Sequence, residues 1–123
     1  ALAEFPTSQV LVAGLEGGSL QAWEWQADGI VLLTSVSAHQ GRVKALAAVP
    51  SRHRVATAGG DGEIQLRVVP DLTSDGPPRR HGVEILSLAA SADGQFLASC
   101  GWDHRVVLWN IDAVDPLWAI NVG

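Results

Sequence analysis

Apolar residues along this chain come in short runs, each closed by glycine, proline or aspartate. Val43–Val49 and Ile85–Ala90 are two such runs, followed by Ser-Arg and Asp-Gly turn chemistry. Arg54–Ala58 and Phe96–Cys100 come next and end in Gly-Gly-Asp-Gly and Gly-Trp-Asp-His, bends that accept a positive φ or cap their own backbone. Glu63–Val68 and Arg105–Asn110 then alternate toward a third strand, and fourth strands are predicted at Ile30–Val36 and Leu117–Val122. In the middle of the chain the fourth strand falls in TSDGPPRR, residues 73–80. There Pro77 and Pro78 cannot donate to a ladder and are tolerated only at an exposed edge.

The pattern repeats. ALAAVPSRHRVATAGGDGEIQLRV (45–68) aligns without a gap to SLAASADGQFLASCGWDHRVVLWN (87–110) and to ALAEFPTSQVLVAGLEGGSLQAWE (1–24). His39 and His81 are 42 residues apart, as are Asp61 and Asp103, and each His precedes its Asp by 22. Four short antiparallel strands per ~40 residues, the weakest outermost, describe a propeller blade. The fold expected is all-β: one domain over 1–123, a β-propeller segment of three four-stranded antiparallel blades at about 1–38, 39–80 and 81–123.

The third unit, with Arg80-His81 ahead of LASCGWDHRVVLWN, closely resembles a WD repeat. The resemblance implies a buried hydrogen-bonded tetrad of His81, Ser99, Asp103 and Trp109. In the middle unit it implies His39, Thr57 and Asp61, with Arg67 where the Trp would stand. The first unit keeps Trp23 but has Ala13 and Gly17 at the hydroxyl and Asp positions. The resemblance also implies that partners dock on the rim bearing the loop before each first strand and the turn between the second and third. The positions concerned are Arg42 and Lys44 in the middle unit, Glu84, Leu86 and Trp102 in the last, and Glu16 in the first. Trp102 is the expected anchor, since its counterpart is Gly60 and the blade needs no large side chain there. Trp25 and Trp118 are assigned to strand packing. Three blades leave two sheet faces uncovered. The expectation is therefore an excerpt of a larger ring of about seven blades, or a ring completed by a second copy or another propeller segment.

Chemistry weighs against a catalytic reading. His81, Ser99 and Asp103 are the residue types of a nucleophilic triad, but Ser99 lies mid-strand with no G-x-S-x-G elbow and no following helix. Much of the constellation recurs a period earlier, as His39, Thr57 and Asp61, which is how a structural network would behave. The four histidines and single Cys100 have no zinc-ligand spacing, and Gly59-Gly60-Asp61-Gly62 lacks the Lys-Ser/Thr of a phosphate loop. No catalytic residue, metal or cofactor is expected.

Composition bounds the remaining classes. Of the 123 residues 47% are hydrophobic, yet no apolar run approaches the ~20 of a membrane-spanning helix, and the content is too high for disorder. The lone cysteine points to a reducing compartment, cytoplasm or nucleus. The net charge of −5 hides a basic middle: residues 41–81 hold seven of the eight Lys and Arg. The function expected is a non-catalytic scaffold for protein–protein interaction, and the alternative partner is nucleic acid or a ribonucleoprotein bound through the basic blade.

Overall fold

The computed structural model describes residues 1–122. It contains three four-stranded antiparallel sheets, and each runs in sequence order from its first strand to its outermost fourth. The first holds β1 (Leu2–Phe5), β2 (Val10–Gly14), β3 (Ser19–Gln26) and β4 (Gly29–Ser37). The second holds β5 (Val43–Val49), β6 (Arg54–Gly59), β7 (Glu63–Val68) and β8 (Arg79–Arg80). The third holds β9 (Ile85–Ala90), β10 (Phe96–Gly101), β11 (Arg105–Asn110) and β12 (Pro116–Asn121). The fold is an all-β propeller architecture.

Alternation along the strands explains how the sheets stack. Residues two apart share a face. On β2 and β3 this sends Val10, Val12, Leu20 and Ala22 with Phe5 against Val43, Val55 and Leu72 of the second sheet. The second interface pairs small with large. Ala45, Ala47, Ala56 and Ala58 share one buried cluster with Ile85, Leu97, Val107, Trp109 and Ile111. The alanines leave room for the indole between the sheets, as close packing demands.

The outer part of the second sheet departs from its neighbours. β8 is only two residues long, paired to Glu63 and Ile64. The segment between β7 and β8 covers the rest of the edge: Ser74 bridges to Arg67, and Leu72, in the left-handed region at φ 61, is fully buried between the first and second sheets. Arg67 holds this segment, donating from Nη1 to the Leu72 carbonyl at 2.7 Å. The expectation of strand packing fails for Trp118. On β12 it is 68% exposed, because an outermost strand whose far face meets no neighbouring sheet has nothing to bury it.

Candidate functional site: a buried tetrad beneath a charged rim

Antiparallel order puts the β2–β3, β6–β7 and β10–β11 turns at one end of the sheets. The segments leading into β5 and β9 lie at the same end. That end carries all the rim residues and the histidines beneath them.

In the third sheet a hydrogen-bond chain runs from core to rim. Trp109 Nε1 donates to Ser99 Oγ at 3.0 Å, and Ser99 lies 2.8 Å from His81 Nδ1. His81 Nε2 meets Asp103 Oδ1 at 3.0 Å. With Ser99 accepting the indole proton, its own hydroxyl proton goes to Nδ1, which leaves Nε2–H for the carboxylate. Asp103 also accepts from the Arg105 guanidinium at 2.8 Å and from the Arg105 backbone N–H at 3.2 Å. Ser99 is 1% exposed and committed on both sides, so its hydroxyl offers no route to a substrate carbonyl.

The second sheet repeats the arrangement with the imidazole turned over. His39 Nδ1 faces Asp61 Oδ2 at 3.0 Å, and Nε2 faces Thr57 Oγ1 at 2.7 Å. No indole reaches Thr57, because Arg67 occupies that position and donates to Gln65 Oε1 at 3.0 Å instead. In the first sheet, where Ala13 stands at the hydroxyl position, Trp23 donates to Gln21 Oε1 at 3.2 Å.

Glycines place the two histidines, a signal that spacing alone did not reveal. The Gly62 carbonyl accepts the His81 backbone N–H at 3.0 Å, and Gly18 does the same for His39. Gly62 has φ +76, and a Cβ on it would stand 3.0 Å from the Val83 carbonyl oxygen. At Gly101, a Cβ would come within 2.9 Å of the His81 ring. Each imidazole is thus fixed by the preceding sheet's turn and by a strand end that has no side chain.

Burial pulls the Asp103 carboxyl upward, but hydrogen bonds from His81 and Arg105 outweigh it and hold the group far below the ordinary carboxylate range. A carboxyl depressed by folding stabilises fully above its unfolded value of ~4 and loses that contribution as pH falls toward its folded value. Asp103→Asn should therefore flatten the acid limb of the stability profile. Thermal unfolding compared at about pH 5 and about pH 2.5 would read this; parallel losses in wild type and variant would exclude Asp103 from the network.

On the rim, Arg42 pairs with Glu16 across the first interface, and Lys44 Nζ reaches Glu84 Oε1 at 2.9 Å across the second. Trp102 stands 61% exposed with its backbone N–H on the Glu84 carbonyl at 3.1 Å. Leu86 is exposed further along β9. The structure thus gathers Glu16 with Arg42, and Lys44 with Glu84 and Trp102.

The middle segment's remaining cations also have partners. Arg52 pairs with Asp112, Arg54 with Asp75 and Arg80 with Glu63. The buried Arg79 guanidinium donates to the Ile111 and Ala113 carbonyls of the third sheet. Arg42, Lys44 and Arg52 of the basic blade thus pair with acids of the neighbouring sheets, and Arg54 and Arg80 with acids of their own.

The family model for the WD domain, G-beta repeat, matches residues 30–66 and 78–110. The chain belongs to the WD40 repeat family. Among curated WD40 relatives it is 29% identical to the ribosome biogenesis protein WDR12 homolog of Chlamydomonas reinhardtii, over 83% of this chain and 25% of that protein. It is 33% identical to mouse (Mus musculus) telomerase protein component 1, over 83% of this chain and 4% of that one. The chain therefore spans a quarter or less of the length of these two relatives. Among solved structures, a chain in a crystal structure of the mitotic checkpoint complex superposes with a TM-score of 0.87, covering 98% of this WD40 chain and 36% of its own, at 24% identity. That likeness is one of fold.

Proposed function

We propose that this WD40 segment is a non-catalytic scaffold that holds a protein partner on the rim over the second and third sheets, within a larger intracellular assembly. Trp102 carries the reading. A large indole is left mostly in water at a turn whose counterpart in the second sheet is Gly60, so the fold does not require it. Tryptophan is among the residue types enriched at the energetic hot spots of protein interfaces. The relatives' names, ribosome biogenesis and telomerase component, place those proteins in multi-component machinery and support an assembly role. The uncovered apolar positions of β4 (Ile30, Leu32) and β12 (Trp118, Ile120) suit further blades of a ring.

Those same names favour a second reading, association with a ribonucleoprotein. Direct phosphate binding would need free cations, whereas Arg42 and Lys44 are already paired. Steep salt dependence of binding, lost when both are replaced, would mark that case.

Trp102→Ala is expected to weaken partner binding by about thirtyfold or more while leaving the melting temperature unchanged. Quantitative co-purification against wild type reads the first and calorimetry the second. Partners retained at wild-type levels on a folded variant would place the interface elsewhere.

A further inference from the structure

We infer that the rim surface around Trp102, Glu84 and Gly60 receives a basic side chain, an arginine presented by an extended segment of the protein partner. This deepens the rim reading above and rests on it.

The geometry points to a planar cation. Trp102 is held at its backbone, where its N–H donates to the Glu84 carbonyl, while most of its surface is open to solvent. Glu84 is about a third exposed at its side chain and engages Lys44 through one oxygen, Oε1. A carboxylate offers about four lone-pair sites, so acceptor capacity remains. The floor beside it is bare: a Cβ on Gly60 would find nothing within 4 Å except Glu84 Oε1, at 3.8 Å. An exposed indole, a partly exposed carboxylate on the residue its backbone bonds, and open space at the glycine by that carboxylate match a guanidinium. That group stacks on aromatic rings, forks onto carboxylates and gives up hydration more readily than an ammonium.

Charge selects the same occupant. From residue 82 onward Arg105 is the only Lys or Arg, against five acids. The rim cations are already neutralised, Arg42 by Glu16, Lys44 by Glu84 and Arg105 by Asp103. An incoming carboxylate would have to compete with Glu16 and Glu84 for the cations they already pair. An aliphatic side chain could use the indole but would bury Glu84 without a new partner.

The test uses the full-length protein labelled with 5-fluorotryptophan, the Trp102 signal being identified by its loss in Trp102→Phe. Three capped alanine pentapeptides serve as probes, carrying arginine, citrulline or glutamate at the centre. The arginine peptide is expected to shift the Trp102 signal saturably, with citrulline at least about tenfold weaker because it keeps the shape and loses the charge. Trp102→Ala should weaken the arginine peptide about five- to thirtyfold, and Glu84→Gln should weaken it too. Lys44→Met should tighten it several-fold, because Glu84 is then freed; an acidic ligand would show the opposite response.

No saturable shift with the arginine peptide, equal binding of citrulline, or weaker binding in Lys44→Met would each overturn the inference. Preference for the glutamate peptide, lost in Trp102→Ala, would overturn the basic partner and leave the rim as the docking surface. Loss of both the peptides and the native partner's dependence on Trp102 would remove the rim reading as well.

Discussion

Replacing Trp109 by alanine is expected to destabilise the protein by about 3–5 kcal/mol, the range for deleting a large buried aromatic. The indole is 1% exposed and lies in the cluster joining the second and third sheets, opposite alanines too small to fill the void. Its N–H also starts the chain that orients Ser99 and His81. Trp109→Phe separates the two effects. Most of the volume stays and one hydrogen bond goes, so roughly 1 kcal/mol plus a modest packing loss is expected. Urea unfolding of both variants gives the comparison; a loss below about 1 kcal/mol for alanine would mean that the interface closes over the gap.

Leu72→Ala should cost about 2–5 kcal/mol, far more than a loop position ordinarily does. Its side chain is fully buried between the first and second sheets, where it substitutes for the missing length of β8. The residue also holds φ 61, which is uncomfortable for any side chain. Leu72→Gly therefore relieves strain while losing the same packing, and it should be no less stable than the alanine variant. Melting temperatures decide the matter. An unchanged value for alanine would show that the 69–78 segment merely lies over the sheets.

Much of this was legible beforehand. The strand limits at Val43–Val49, Glu63–Val68, Ile85–Ala90 and Arg105–Asn110 coincide with those observed, because alternation and turn residues are local signals. The pairing of His39 with Asp61 and of His81 with Asp103 is what the resemblance to a WD repeat implies, and the hydrogen bonds match it. What escaped depends on distant neighbours. Leu72 lies outside every strand the sequence predicts, and its burial depends on residues of the first sheet far from it in the chain. Trp118 reads as strand packing, yet its exposure depends on what stands beyond the outermost strand. The seven cations of residues 41–81 read as a basic blade offsetting acidic neighbours, but not which acid meets which base: Arg52 meets Asp112 60 residues away and Arg42 meets Glu16 26 residues earlier. No local pattern announces such matches.

Those matches cross the boundaries between sheets, and their signs alternate. The outer two sheets carry the acids, and the middle one supplies the cations that reach both ways. Exposed pairs of this kind add little to stability. Repeats of one architecture, however, face a sorting problem during folding, since each presents similar sheet faces. Juxtaposing the two acidic units would set like charges together, whereas the observed sequence opposes unlike ones at each joint. The alternation thus adds an address, written in surface charge, to the one that core shape already gives each module.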